Sequence, residues 1–272
     1  MCAIVFCMEI SRADLDGGKG FDWGRTSADY AKYRDIYPPI FYEKIAARGL
    51  GVKGQNCLDL GTGTGVIPRN MYKFGAKWTG TDISENQIEM ARVLSEKAGM
   101  DIKYETVPAE KVPYADGAFD LITACQCFVY FDKPKALPNI ARMLKKDGIF
   151  LVLFMSWLPE KHELTRLSKE SVERANPSWN GGDGVFDEPM KFEPCVYDVF
   201  EEAFHEEYYA DVEFTPEKWH GRVKSCRGIG ASLSPDAIAA WEKEHLAPLA
   251  RIMPEPTTIP HFIQCTGLRV RH

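Results

Sequence analysis

A glycine-rich turn follows the first buried apolar run of the chain and holds the residue types best suited to contact a ligand. Between a predicted strand and a predicted helix, the turn contains Asp59, Gly61, Thr62, Gly63 and Gly65. Glycines permit a positive φ and let the backbone approach a ligand closely. Their amides and the N-terminus of the next helix offer hydrogen-bond donors and partial positive charge. This spacing predicts a site for a polar ligand.

The exact spacing of the glycines separates three kinds of ligand. A phosphate-binding P-loop needs a lysine after its last glycine, and none follows here. The dinucleotide fingerprint needs Gly or Ala at position 66, where the chain has Val66. The third glycine, Gly65, falls one residue early. Together with Asp59, this G-x-G-x-G run resembles motif I of class I S-adenosylmethionine (SAM)-dependent methyltransferases. The resemblance implies that the loop holds the aminocarboxypropyl arm of SAM, with the acid near its ammonium group.

A second acid closes the next predicted strand. Asp82 comes about 20 residues after Gly61, where an acid accepts hydrogen bonds from the vicinal hydroxyls of a ribose. Ile83 can pack on the adenine. Ser84 is the better N-cap for the following helix, with Gln87 three residues later in a capping-box arrangement. We also expect Gln87 to line the cofactor site.

Two further motifs extend the resemblance. The stretch VPAEKVPYADGAFD resembles the family's adenine-edge motif, which implies that Ala109 and Glu110 contact the adenine. At the end of the fourth predicted strand, Cys125 and Gln126 are expected to face the cofactor sulfur and the acceptor. Together these motifs resemble the methyltransferase domain 11/25 type, and the chain is similar to small-molecule methyltransferases such as trans-aconitate methyltransferase.

The catalytic residues are poorly marked. The related group carries Q-x-x-H-W-F-D after the fourth strand, but this chain has Val129 and Tyr130 in place of His and Trp. Tyr130 and Asp132 are the catalytic candidates, and Tyr130 is equally compatible with a core position. Three histidines could act as bases for an oxygen or nitrogen acceptor: His162, His205 and His220.

A helical lead-in precedes the sheet. The stretch ADYAKYRDIYPP resembles a family segment that often folds over SAM, although Asp35 replaces a proline. By this match Tyr30 and Arg34 contact the cofactor, with the guanidinium able to pair with the methionine carboxylate. A surface arginine on an amphipathic helix is the plain alternative.

The elements that position these residues alternate between strand and helix. Five predicted strands and the helices between them imply a parallel, doubly wound sheet, with ligands at the carboxyl ends of its strands. One of these helices is predicted over residues 134–148, and late strands are expected to complete the sheet. We therefore predict a Rossmann-like, seven-stranded, mostly parallel α/β fold. Residues 1–50 form an N-terminal helical lid, 51–157 the SAM-binding core, and 158–272 a cap insertion with the closing strands.

The composition of the chain limits the kinds of partner that it is expected to bind. The net charge of −6 argues against nucleic acid, since phosphate binding needs a concentrated basic surface. The scattered cysteines lack the spacing of a metal site. The sequence contains no apolar run of about 20 residues, the length that a membrane-spanning helix needs. We expect a cytoplasmic protein without a metal. Cys125 and Cys127, which we expect to lie on one extended strand, raise thiol or metalloid chemistry as a less favoured alternative.

The later part of the chain is rich in aromatic residues, which suits a closed pocket for a small acceptor and equally suits a plain core. These residues are Trp157, Trp179, Phe186, Phe192, Tyr197, Phe200, Tyr208, Tyr209 and Trp219. The same surface could support a homodimer. The favoured function is methyl transfer from SAM to a small molecule, which leaves S-adenosylhomocysteine (SAH). A non-catalytic SAM-binding regulator and an NAD(P)-linked oxidoreductase remain as alternatives.

Overall fold

The computed structural model of the chain describes residues 10–181, 187–253 and 255–271. Phe186, one of the aromatic residues proposed for the acceptor pocket, lies outside them. The strands of the described residues are β1 (Asn56–Leu60), β2 (Lys77–Asp82), β3 (Lys103–Thr106), β4 (Phe119–Cys125), β5 (Leu144–Trp157), β6 (Phe200–Phe214) and β7 (Thr257–Val270).

The sheet has seven strands in the order β3-β2-β1-β4-β5-β7-β6. β1 pairs in parallel with both β2 and β4, β2 pairs in parallel with β3, and β4 pairs in parallel with β5. The predicted Rossmann-like, mostly parallel, doubly wound sheet is therefore confirmed. The strand order reverses between β1 and β4, and open sheets of this kind bind ligands at that switch point. The glycine-rich turn follows β1 directly.

The α-helices of the described residues are α1 (Ser27–Tyr33), α2 (Pro39–Ala47), α3 (Val66–Met71), α4 (Glu85–Lys97), α5 (Lys133–Met143), α6 (Glu163–Ala175), α7 (Pro194–Val199), α8 (Pro216–Lys224) and α9 (Pro235–Ile252). Local signals explain several of their starts. Ser84 accepts a hydrogen bond from the Gln87 amide at α4, and Ser234 does the same from the Ala237 amide at α9. Pro39 occupies the first position of α2, where its missing N–H costs nothing.

The prediction that the helix before β5 runs to Gly148 is wrong. α5 ends at Met143, and Leu144 already has extended backbone with φ −72° and ψ 139°. Leu144 pairs with Phe119 of β4, so the strand begins five residues before the apolar run that suggested it. A pairing with a distant strand is a tertiary contact, and it overrides the helix preference of the Leu-Lys-Lys stretch.

The described residues divide into two compact units. The sheet unit comprises those in Tyr37–Ser156, Glu188–Ala210 and Phe262–His272, and it contains β1 to β4 and nearly all of β5. The aromatic unit comprises those in Met1–Ile36, Trp157–Asp187 and Asp211–His261. β6 and β7 contribute residues to both units.

Each unit has its own core. In the sheet unit, Leu58, Ile122 and Phe150 are wholly buried in a cluster that includes the inner faces of α5 and α7. The aromatic unit is built around large rings and includes Trp157, Trp179, Phe214, Trp219 and Trp241. Five of the aromatic residues singled out in the sequence fall into these two cores. Trp157, Trp179 and Trp219 belong to one, and Phe192 and Phe200 belong to the other.

Candidate cofactor site

The glycine-rich loop leaves β1 in a conformation that suits glycine. Gly61, Gly63 and Gly65 have φ values of 62°, 54° and 76°. A Cβ at Gly61 would lie 2.7 Å from the Cys127 sulfur, so neither the backbone angle nor the space admits a larger residue there. At Gly65, the N-cap of α3, a Cβ would overlap the Tyr104 hydroxyl. Tyr104 was not singled out in the sequence, and Cys127 was considered there only for thiol or metalloid chemistry.

Asp82 connects this loop to the end of β2. Its Oδ2 accepts a hydrogen bond from the Gly63 amide at 2.8 Å, and its Oδ1 accepts one from the Ser84 amide at 2.9 Å. Burial raises the pKa of the carboxyl, and these backbone amides oppose the rise. Each carboxylate oxygen keeps a second lone pair, so the group can still accept from a diol. The carboxylate thus orders the loop and remains able to accept from a ligand.

Asp59 lies deeper, near the end of β1, and is 1% exposed. Thr123, opposite it on β4, donates a hydrogen bond to its Oδ1 at 2.5 Å. Burial raises the pKa of the Asp59 carboxyl to about 7, the Thr123 and Thr62 hydroxyls oppose this, and the charge of Asp82 raises the pKa further. Thr123 could have been noticed as a polar residue within the apolar run of β4.

The remaining cofactor candidates of the sheet unit lie at neighbouring strand ends. Ile83 follows β2, and Gln87 is buried in the first turn of α4. Ala109 and Glu110 form a short 3₁₀ turn after β3. Glu110 accepts a hydrogen bond from the Asp132 amide at 2.8 Å, which joins that turn to the start of α5.

The end of β4 turns sharply. Gln126 has a φ of 63°, and its side-chain Nε2 donates to the Met155 carbonyl at 2.6 Å. Cys125 donates to the Tyr37 hydroxyl at 3.3 Å, and Cys127 donates to the Leu60 carbonyl at 3.0 Å. The strand ends at Cys125, so the expectation that both cysteines lie on one extended strand is wrong, because the left-handed residue between them breaks the alternation.

The two catalytic candidates differ in exposure. Tyr130 is half-buried at the end of a 3₁₀ turn, Phe128–Tyr130. Asp132 is exposed at the N-cap of α5, where its carboxylate pairs with Lys135 at 2.6 Å. Across the described ranges, no three His, Cys, Asp or Glu side chains form a metal-binding cluster. Independence from a metal stays a prediction.

Tyr30 and Arg34 belong to the aromatic unit, whereas the other cofactor candidates belong to the sheet unit. Arg34 lies with its guanidinium carbon 5.1 Å from the centre of the Tyr30 ring, and Tyr30 packs edge-on against Trp23. Their role in holding a cofactor stays a prediction.

The three candidate histidines all have protein partners. His162 caps α6 by accepting from the Leu164 amide. His205, on β6, lies 2.8 Å from both the Thr266 hydroxyl and Glu207. His220 is buried, with its Nδ1 2.9 Å from that of His245.

The site fits the ligand that the motifs imply. Asp59 is a buried carboxyl that receives hydrogen bonds only from hydroxyls, and no cation of the described residues pairs with it. A buried carboxylate is costly without a positive partner, and an ammonium group would supply one. Asp82 offers acceptor capacity to ribose hydroxyls, and the close-packed glycines let a ligand touch the loop.

Comparisons with known proteins agree with this geometry. A family profile described as a methyltransferase domain matches residues 58–152. The sterol 24-C-methyltransferase of Gibberella zeae is 35% identical over 122 residues, covering 43% of this chain and 32% of the relative. The sarcosine/dimethylglycine N-methyltransferase of Halorhodospira halochloris is 31% identical over 150 residues, covering 51% of this chain and 53% of the relative.

A solved structure supports the fold. The YcgJ protein of Bacillus subtilis superposes with a TM-score of 0.51 at 16% identity, covering 86% of this chain and all of that one. The profile match over residues 58–152 supports a class I SAM-dependent methyltransferase domain in this part of the chain, as its motifs predict. The chain spans about half the length or less of the two curated relatives, so its own activity and acceptor are matters for proposal.

Proposed function

We propose that the chain binds SAM in the sheet unit and transfers its methyl group to a small-molecule acceptor. The buried carboxyl of Asp59, which no cation of the described residues pairs with, carries this proposal, because it lies beside a glycine loop and one strand away from Asp82. In the proposal Asp59 holds the ammonium group, Asp82 the ribose, and Ile83 with Ala109 and Glu110 the adenine. Gln87 and Cys125 complete the wall.

The chemistry asks little of the protein. When bound, SAM supplies a methyl group on a positively charged sulfur, so the cofactor itself is the electrophile. The chain has to align the acceptor and exclude water, and such positioning contributes about 7–11 kcal/mol to lowering a barrier. Tyr130 and Asp132 remain the candidates for contact with the acceptor. Half-buried Tyr130 suits that role better, because Asp132 is exposed and paired with Lys135.

Two observations support a small-molecule acceptor. The relatives are named for methyl transfer to a sterol carbon and to the nitrogen of sarcosine or dimethylglycine, which are small molecules with different acceptor atoms. The net charge of −6 disfavours nucleic acid. Half-buried Tyr37 and Tyr130 are the aromatic side chains best placed for a pocket wall in the sheet unit.

The remaining partner and location assignments stay predictions: no nucleic acid, no membrane, a homodimer and a cytoplasmic setting. No helix in the described part of the chain is long and apolar enough to cross a bilayer.

Calorimetric titration of the whole chain with SAM, SAH and NADPH tests the proposal. We expect binding of SAM and SAH, release of SAH in an acceptor screen, and no heat with NADPH. Binding of NADPH without any response to SAM would favour an oxidoreductase instead. SAM binding without SAH release from any acceptor would favour a regulatory protein.

Asp82→Ala provides the matched variant. We expect SAM to bind about 100-fold more weakly, because hydrogen bonds to a charged group are worth about 1.5–3 kcal/mol each and the loop also loses its anchor. Asp147→Ala, an exposed acid of the same unit, serves as the control and should bind SAM as the unaltered chain does. Equal affinities for the two variants would refute the ribose assignment.

A further inference from the structure

Gln126 adopts a backbone conformation that its side chain disfavours. Among the described residues, only it and Asp16 combine a positive φ with a side chain. Gly or Asn would occupy this region at lower cost, so the position is strained for glutamine. Strain of this kind persists where the surrounding structure enforces it, and it concentrates at sites that bind or react.

Two hydrogen bonds enforce this conformation. The Gln126 amide donates to the Leu153 carbonyl at 3.0 Å, and the side-chain Nε2 donates to the Met155 carbonyl at 2.6 Å. A carbonyl oxygen can only accept, so the nitrogen of the side-chain amide must face Met155. The other atom, Oε1, is then an acceptor, and no donor among the described residues reaches it. The side chain is half-buried, so a ligand can approach.

The position of this acceptor is tied to the cofactor loop. Ala124 of β4 pairs with Leu60 of β1, so Gln126 continues β4 at the level of the glycine turn. Its neighbour Cys127 donates to the Leu60 carbonyl and packs against Gly61. The other neighbour, Cys125, donates to Tyr37. Both flanking side chains are thus engaged, and Gln126 alone of the three offers an amide oxygen at this edge of the sheet.

We propose that Gln126 Oε1 accepts a hydrogen bond from the N–H or O–H of the methyl acceptor, and that this contact selects amines and hydroxyl compounds as acceptors. This inference rests on the proposed methyl transfer. The hydrogen bond orients the nucleophile so that its lone pair faces the methyl carbon. A bond forms from that lone pair to carbon, and the bond from carbon to sulfur breaks with its electrons passing to sulfur. Because an amide oxygen is too weak a base to take the proton, the proton leaves to water.

The proposal distinguishes two kinds of methyl acceptor that both occur among the relatives. A secondary amine such as sarcosine carries a hydrogen on its nucleophilic nitrogen when neutral. Dimethylglycine, a tertiary amine, carries none on its nitrogen, and a sterol carbon acceptor offers no N–H or O–H at the reacting atom. A site that orients its acceptor through Gln126 Oε1 favours the first kind, because the second leaves this oxygen without a donor.

A crystal structure of the whole chain with SAH tests the geometry. We expect Nε2 to remain on the Met155 carbonyl and Oε1 to face the open space in front of the SAH sulfur, without a bond to the cofactor. A structure in which Oε1 accepts from the SAH ammonium group, or from a protein amide, would overturn the inference and leave the proposed function intact. Failure of the chain to bind SAH in calorimetry would instead count against the proposed function.

Two variants test the energetics. Gln126→Gly relieves the strained backbone and removes the acceptor, and Gln126→Met keeps the size while removing both polar atoms. Gln55→Met is the matched control, because Gln55 also donates from Nε2 to a carbonyl, that of Gly49, at 2.9 Å. We expect SAH affinity within twofold of the unaltered chain for all three, and a melting temperature of the Gly variant that is not lowered.

For any acceptor that releases SAH, the Gln126 variants should lower kcat/KM at least tenfold while Gln55→Met leaves it unchanged. Sarcosine should be converted in preference to dimethylglycine, and the preference should disappear in Gln126→Met. A tenfold loss of SAH affinity in Gln126→Met, or unaltered kcat/KM in both Gln126 variants, would contradict the proposed contact.

Discussion

The two units of the chain treat buried polar groups in opposite ways. In the sheet unit, Asp59 is enclosed near the end of β1 with hydroxyl partners and no cation among the described residues. In the aromatic unit, buried polar side chains satisfy one another in a chain. The Trp219 Nε1 donates to the Ser168 hydroxyl at 2.9 Å, and that hydroxyl lies 3.2 Å from the His245 Nε2.

This chain of contacts continues to the edge of the aromatic unit. His245 and His220 face each other through their Nδ1 atoms at 2.9 Å, and both rings stack on Trp241. The Nε2 of His220 lies 3.6 Å from Glu242, which also pairs with Lys224. One set of tautomers satisfies every contact with both rings neutral. His220 donates toward Glu242, His245 donates to His220, and Ser168 donates to His245.

The difference indicates what each unit is built for. An isolated buried carboxyl is unfavourable for stability and useful for binding a cation, whereas a closed chain of neutral donors and acceptors stabilises a unit and specifies its packing. The sheet unit therefore has a buried carboxyl without a cationic partner among the described residues, and a ligand can supply that partner. In the aromatic unit, the chain of contacts from Trp219 to Glu242 satisfies its own donors and acceptors.

The largest effects should come from glycines that permit close packing in each unit. At Gly221 in α8, a Cβ would overlap the Tyr33 ring of α1, so Gly221→Ala should lower the free energy of unfolding by about 3 kcal/mol. The backbone there is helical, so the added Tyr33→Ala change should restore much of the loss. Gly65→Ala should meet a second cost besides the overlap with Tyr104. The φ of 76° at this position adds about 1–2 kcal/mol, which an added Tyr104→Ala change cannot remove.

Denaturant unfolding of the four variants measures this contrast. Equal recovery in the two double variants would show that space alone sets the requirement at both glycines. No recovery at Gly221 would show that Tyr33 is not the obstacle in α8.

The motifs of the sheet unit could be predicted because each is local. Asp59 to Gly65 lie in one turn, and Asp82 lies at the end of the next strand, so strand order alone brings them together. The closer packing could not be predicted. Thr123 reaches Asp59 across 64 positions of the chain, and Cys127 reaches Leu60 across 67. The same limit hid the early start of β5, which depends on Leu144 pairing with Phe119.

The aromatic unit offered little local signal. The helix cap at Ser234 was readable, because Ser-Pro before an amphipathic run is a typical start. The contact between His220 and His245 joins α8 to α9, and that between Trp219 and Ser168 joins α8 to α6. A lone histidine in a sequence does not show which partner its ring will meet. His220 was therefore a candidate base in the sequence and is a member of a buried hydrogen-bond chain in the structure.

Acid should weaken the aromatic unit first. Burial lowers the pKa of His245 to about 3, and that of His220 is also lowered by burial. The unfolded chain has histidines near 6.5, so below that pH it binds more protons than the folded chain and stability falls as pH falls toward 3. At pH 5 the expected loss from His245 alone is about 2 kcal/mol.

Hydrogen exchange at pH 5 and pH 7.5, corrected for the intrinsic rate, locates this loss. Peptides from α6, α8 and α9 should lose protection relative to peptides from β1 and β4. His245→Gln should show a shallower pH dependence, although it is less stable at neutral pH. Equal loss of protection in both units would show that the histidine pair does not set the acid response.

The smallest effect of pH should appear in the sheet unit. There a fall in pH should stabilise the folded state, whereas it destabilises the aromatic unit. The pKa of Asp59 is raised to about 7, above that of the unfolded chain. Between pH 7 and pH 4 the folded state therefore holds the extra proton, and this group adds stability as pH falls. Binding of an ammonium group needs the ionised form, so SAM should bind about tenfold more weakly at pH 6 than at pH 8. Asp59→Asn should bind SAM weakly at both values, in calorimetry at constant ionic strength. A flat profile for the unaltered chain would mean that Asp59 does not face the ammonium group. The difference in buried polar groups between the two units would then have no link to cofactor binding.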